Sequence, residues 1–102
     1  NMNPAQLQKM MKQAQKLQSE MQNAQAELDR KEFTTTAGGN ALTLVMTGDK
    51  RIVSITLNPE IVDPEDKEIL EEMIKSSINS LSNEIDKEVE ATMGAYTQGL
   101  PF

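Results

Sequence analysis

Apolar residues recur at alternating steps of three and four along the first third of the chain, the spacing of one face of an α-helix. Asn3 can cap this helix, Pro4 suits its first position, and strong helix formers continue to about residue 31. The apolar seam is formed by Leu7, Met10, Ala14, Leu17, Met21, Ala24 and Leu28. Packing within one domain and contact between two chains explain such a seam equally well.

The apolar period changes to two after Glu32, which predicts β-strands. Three short strands are expected over residues 33–37, 41–47 and 51–57, separated by glycine-containing turns. In the third strand, alternation puts Val53, Ile55 and Leu57 on one face. Pro59 cannot donate to a strand ladder, so the antiparallel sheet ends before it.

A second helix is signalled by Asp63 as its cap and Pro64 at its first position. Gly94 is the expected stop, and residues 95–102 are expected to form an irregular tail. The resulting order is α-β-β-β-α, an α+β fold in a single domain over residues 1–102. The apolar stripe of the second helix consists of Leu70, Met73, Ile74, Ile78, Leu81, Ile85 and Val89.

The two predicted helices are about twice as long as the strands that they would cover. At about 1.5 Å per residue each helix would extend about 40–45 Å, whereas the strands would extend about 20–23 Å. Half of each apolar stripe would therefore project beyond the sheet and form an exposed patch in a monomer. We expect a homodimer with two-fold symmetry, in which extended pairing or exchange of strands buries this surface.

The composition argues against most enzyme classes. The 102 residues include no His and no Cys, so the usual ligands of zinc and copper, the usual general bases and the thiol nucleophile are absent. The acidic residues also lack the spacing of a calcium-binding loop. We expect no enzymatic activity, no metal, no cofactor and no small-molecule substrate.

Targeting signals are also missing from the sequence. No apolar run approaches the roughly 18 residues that a membrane span requires, and no signal-peptide pattern precedes the first helix. A cytoplasmic protein without membrane association is therefore expected. Asn1, which precedes Met2, is interpreted as the remnant of an expression tag.

Charge is distributed unevenly along the chain, whose formal net charge is −6. Residues 1–31 hold five basic and three acidic side chains, whereas residues 60–102 hold three basic and eleven acidic ones. At about 100° per residue, Lys9, Lys12 and Lys16 lie within about 60° of arc, opposite the apolar seam. Such a stripe can contact phosphates along a nucleic-acid backbone, although a merely solvated helix face has the same pattern.

Four further basic residues are candidates for phosphate contacts: Arg30, Lys31, Lys50 and Arg51. The few aromatic residues are scattered and form no platform on which single-stranded bases could stack, so duplex DNA is the expected nucleic acid. The alternative is a helical module that binds another protein without direct DNA contact. Salt-dependent association with duplex DNA distinguishes the two hypotheses.

The run Met11-Lys12-Gln13-Ala14-Gln15-Lys16-Leu17-Gln18 resembles the opening motif of the YbaB/EbfC family of bacterial nucleoid-associated proteins. The resemblance continues through Gly48, Asn58-Pro59, the segment 63–73, Asn79 and the Gly-Leu-Pro ending, and so covers nearly the whole chain. It implies a small cytoplasmic homodimer of tweezer-like outline. It also implies binding to DNA, association with the nucleoid and an influence on gene expression.

Overall fold

The computed structural model describes residues 3–98 and begins with a long helix, α1 (Pro4–Arg30). Its start is secured by a reciprocal capping box: the Gln6 backbone N–H donates to the Asn3 side chain at 2.8 Å, and the Asn3 N–H donates to the Gln6 side chain at 3.2 Å. Lys31 has extended backbone angles and ends the helix. Helix α1 therefore has the predicted bounds within one residue.

Three strands follow, β1 (Glu32–Ala37), β2 (Leu42–Thr47) and β3 (Ile52–Leu57). They form one antiparallel sheet in the order β1-β2-β3, so β3 is an edge strand. Met46 pairs with Ile52 and Val45 with Ser54, which leaves Val53 as the extra residue of a β-bulge. The bulge interrupts the regular alternation expected for β3, and Ile52, Val53 and Ile55 are all exposed.

Asp63 caps a turn rather than the second helix itself. Its side chain accepts a hydrogen bond from the Glu65 N–H within a 3₁₀ turn, Pro64–Asp66, which follows a similar turn, Pro59–Ile61. Helix α2 (Lys67–Thr97) then begins three residues later than the first position expected from the sequence. The short turn and the helix follow one another directly, so the acidic residues still precede the helix.

Helix α2 also continues through Gly94, contrary to the expected stop and to an irregular conformation from residue 95. A helical Gly costs about 1 kcal/mol relative to Ala, a small penalty where the last turn packs against another element. Here the half-buried Tyr96 and Thr92 line a groove against Ala24 and Leu28 of α1. Residues 99–102, where the expected tail ends, lie outside the described residues, as does Asn1.

The core lies between the sheet and α2. Side chains on alternate positions of β2, Leu42, Leu44 and Met46, are buried and meet Leu81 and Ile85 from α2. The opposite face of the sheet carries mainly Thr and Ser residues. Partly buried residues complete the core: Phe33, Ala37, Leu57, Met73, Ile74, Ile78 and Val89.

The turn between β2 and β3 attaches α1 to the sheet. The Gly48 N–H donates to the Lys31 carbonyl at 3.0 Å. A Cβ atom at Gly48 would lie 1.7 Å from the carbonyl oxygen of Leu28, so the backbones approach too closely for any other residue. The end of α1 and the β2–β3 turn therefore form one junction.

The molecule is elongated, with extents of 75 × 20 × 16 Å. Within the apolar seam of α1 only Leu28 is buried, Leu17, Met21 and Ala24 are half-buried, and Leu7, Met10 and Ala14 are exposed. The N-terminal part of α1 thus projects from the body of the fold. The predicted α-β-β-β-α architecture with projecting helices is confirmed, and no helix within residues 3–98 is long and apolar enough to cross a membrane.

Candidate nucleic-acid interface

Three lysines form a basic stripe on the projecting part of α1. Lys9, Lys12 and Lys16 are exposed, and at about 1.5 Å rise per residue the stripe is about 10 Å long. Within the described chain, no carboxylate lies within ion-pair distance of their ammonium groups. All three charges are therefore available to an external anion.

The stripe ends where acidic residues begin. At about 100° per residue, Glu20 and Glu27 share the helix face of the three lysines, closer to the sheet. Phosphates along this face would meet attraction at the tip of α1 and repulsion further down. The geometry therefore restricts the strongest anion attraction on α1 to its first half.

The other four candidate basic residues come together at the junction between α1 and the sheet. Arg30 and Lys31 end α1, while Lys50 and Arg51 follow Gly48 in the β2–β3 turn. The hydrogen bond from Gly48 to Lys31 holds the two segments together. We call Arg30, Lys31, Lys50 and Arg51 the junction cluster; it is separate from the basic stripe.

Carboxylates occupy much of this junction cluster. The Lys31 ammonium lies 2.6 Å from a Glu88 oxygen and 5.1 Å from the centroid of the Phe33 ring. The Lys50 ammonium lies 2.7 Å from an Asp86 oxygen. Arg51 is 4.0 Å from Asp49, whose other oxygen accepts from the Thr47 hydroxyl. Two of the four cationic groups are thus held closely by α2.

No local sequence pattern indicates these two ion pairs. Lys31 and Glu88 are 57 positions apart, so only the tertiary fold brings them together. The acidic character of the second helix was visible in the sequence, but its direction relative to the junction was not. Asp86 and Glu88 are therefore the residues of this region that sequence reasoning missed.

A further groove lies beside Met73, apart from the basic residues. It has a volume of about 360 Å³ and is lined by Ala37, Ile69, Glu72, Ser76 and Ser77. Its carboxylate belongs to Glu72, which is paired with Lys75 at 3.0 Å. Within residues 3–98, no three acidic side chains are placed to hold a metal ion.

Large apolar side chains remain exposed on β3 and near the tip of α1, and also at Val62 and at Ile69 in the first turn of α2. Ile52, Val53 and Ile55 of the edge strand β3 are 48%, 51% and 41% exposed. Leu7, Met10 and Met11 are exposed near the tip of α1. Exposed apolar clusters of this kind are typical of interaction surfaces.

Comparison with known proteins confirms the resemblance seen in the sequence. A nucleoid-associated protein of Clostridium kluyveri is 46% identical over 91 residues, which cover 89% of this chain and 80% of that protein. A nucleoid-associated protein of Streptococcus sanguinis is 47% identical over 96 residues, with coverage of 94% and 97%. An uncharacterised protein of Helicobacter pylori shares the fold, with a TM-score of 0.71, 16% identity, and coverage of 97% of this chain and 100% of that one. Since the model of the YbaB/EbfC DNA-binding family matches residues 2–100, the chain belongs to that family.

Proposed function

We propose that this chain is a non-enzymatic, nucleoid-associated protein that binds duplex DNA mainly through phosphate contacts. The observation that carries the proposal is the basic stripe, Lys9, Lys12 and Lys16, exposed on a projecting helix without a carboxylate partner in the described chain. Its family and the names of its relatives support the same function. Backbone contacts position a protein on DNA without reading bases, so binding is largely indifferent to sequence.

The binding form in this proposal is a homodimer. Strand β3 has a free edge, and its exposed apolar residues Ile52, Val53 and Ile55 would be covered by a second copy. The exposed half of the α1 seam gives a second surface of the same kind. A two-fold dimer has one basic stripe from each chain, so the number of possible phosphate contacts doubles.

Screening by salt accounts for the proposed binding of an acidic protein to an acidic polymer. The net charge of −6 opposes approach, but the Debye length is about 8 Å at physiological salt. Repulsion from the distant acidic residues of α2 is therefore largely screened at the tip of α1. Local charge then decides the contact, and that local charge is positive.

A salt titration tests this function. With three lysines from each chain engaged, the logarithm of the association constant should fall against the logarithm of salt concentration with a slope near −5, at about 0.9 per phosphate. Changing Lys12 and Lys16 together to Gln should weaken binding on every duplex and make the slope shallower by about 3 to 4 in the dimer. Gel-shift titrations on unrelated duplexes provide both numbers.

A matched control uses two lysines of α2. Lys67 and Lys75 are exposed but paired with Glu71 and Glu72 at 3.2 and 3.0 Å. Changing both to Gln removes the same charge and should leave the slope nearly unchanged. Equal effects of the two double variants would reject the basic stripe as the contact, and no DNA binding at low salt would favour the helical protein-interaction module instead.

The cellular part of the proposal is a cytoplasmic protein on the nucleoid that affects nucleoid organisation and gene expression. A labelled protein should overlap with the DNA stain in bacterial cells. The variant with Gln at positions 12 and 16 should spread through the cytoplasm. The same distribution for both proteins would separate nucleoid association from the basic stripe.

A further inference from the structure

Two lysines of the junction cluster are held by a single turn of α2. Glu88 lies 2.6 Å from the Lys31 ammonium, and Asp86 lies 2.7 Å from the Lys50 ammonium. The two carboxylates are two residues apart on α2, whereas the lysines come from the end of α1 and from the β2–β3 turn. One short segment of α2 thus neutralises both segments of the cluster.

These contacts compete with phosphate because a carboxylate and a phosphate oxygen use the same ammonium protons. Counterions leave the DNA only when a lysine neutralises a phosphate. A lysine that stays paired within the protein neutralises none, so it adds little to the salt dependence of binding. The pairs are also half-exposed, with side-chain exposures of 51% and 38% for Lys31 and Glu88. Exposed pairs of this kind are weak enough to break but still lower the net gain from a phosphate contact.

We infer that Asp86 and Glu88 limit the affinity for DNA by holding Lys31 and Lys50 away from phosphates. The inference rests on the proposed function, since it concerns the extent of the same DNA-contacting surface. Arg30, exposed and unpaired within residues 3–98, then lies at the edge of a contact region that α2 keeps partly closed. The intact protein binds through the basic stripe, and loss of the two carboxylates adds the junction cluster.

The test is the double variant Asp86→Asn, Glu88→Gln in the full chain. We expect binding to a random-sequence duplex about tenfold tighter at low salt. The salt slope should become steeper by about 2 to 4, because up to four lysines of a dimer are released at about 0.9 each. The control is Glu84→Gln, Glu90→Gln, which removes equal charge from exposed positions of α2 that form no ion pair in the described chain.

A second pair of substitutions tests whether the tighter DNA binding depends on Lys31 and Lys50. Lys31→Gln with Lys50→Gln should change the slope of the otherwise intact protein by less than about 1. In the Asp86→Asn, Glu88→Gln background the same change should abolish the gain. Thermal melting of each variant establishes that the fold is retained.

Two outcomes overturn the inference and differ in what they say of the proposed function. In the first outcome, the parent protein binds DNA, and the test variant and the Glu84→Gln, Glu90→Gln control gain the same affinity. The effect is then one of net charge, and the basic stripe remains the proposed contact. If neither the parent nor any variant binds duplex DNA at low salt, the proposed function fails together with the inference.

Discussion

Gly48 is the residue on which the attachment of α1 to the sheet depends. An added Cβ would meet the carbonyl oxygen and carbon of Leu28 at 1.7 and 2.6 Å. Both are backbone atoms, which cannot rotate away as a flexible side chain would. Relief would require α1 to move from the β2–β3 turn, with loss of the hydrogen bond from Gly48 to Lys31.

We therefore predict that Gly48→Ala lowers the free energy of unfolding by at least about 2 kcal/mol. For a domain of this size that corresponds to a fall in Tm of about 10 °C. Gly94→Ala is the matched control: apart from its chain neighbours and its own helix backbone, no atom of the described residues lies within 4 Å of the added Cβ, so it should be stabilising by up to about 1 kcal/mol. Urea unfolding followed by circular dichroism measures both, and comparable stability of the two variants would contradict the close approach at Gly48.

Among the elements, α1 combines two different environments in one uninterrupted helix. Its last turns pack on α2 through Leu28 and Ala24, whereas its first half has an exposed seam. Leu17 is half-buried and lies between these regions. In the proposed dimer, the second copy covers the part of the Leu17 side chain that is exposed in a single chain.

Leu17→Asp places a charge in this seam, and an unpaired charge removed from water costs several kcal/mol. We predict that the variant dimerises at least about tenfold more weakly and melts at a lower temperature. Ser19→Asp adds the same charge at an exposed position on the opposite side of α1 and should have little effect on either. Sedimentation velocity over a concentration series compares the two; equal behaviour would remove the seam from the interface.

The periodic elements were predictable from the sequence because their apolar spacing and their capping residues agree. Asn3 and Pro4 correctly placed the start of α1, and the change to a period of two correctly indicated the three strands. Gly94 misled because a helical Gly costs only about 1 kcal/mol relative to Ala, a penalty small enough for a helix to continue through it. The bulge at Val53 was not predictable because it depends on the twist and turn geometry of the hairpin, which alternation alone does not encode.

At the scale of the whole molecule, a single chain is elongated and leaves apolar clusters exposed at both β3 and α1. We predict that static light scattering at micromolar concentration gives about twice the chain mass of 11.3 kDa. The association is driven by apolar burial, so it should persist in high salt, unlike binding to DNA. A monomer under these conditions would reject the proposed dimer and the doubled basic stripe.

The candidate site was predictable only in part at this scale. Lys9, Lys12 and Lys16 lie on one regular helix, so their common face followed from the helical period alone. The gathering of Arg30 and Lys31 with Lys50 and Arg51 depends on the approach of Gly48 to α1. The ion pairs with Asp86 and Glu88 depend in addition on the direction of α2, which no local pattern reveals.

The continuity of α1 also has a consequence for the length of DNA that the protein occupies. The helix has no Gly or Pro after Pro4, so it keeps a constant distance between Lys16 and Arg30, about 21 Å at 1.5 Å per residue. A duplex advances about 3.4 Å per base pair, so this distance corresponds to about six base pairs. A duplex lying along α1 must therefore extend at least that far past the basic stripe before it reaches the junction cluster. In the proposed binding mode, we expect duplexes shorter than about six base pairs beyond the basic stripe to contact the stripe alone.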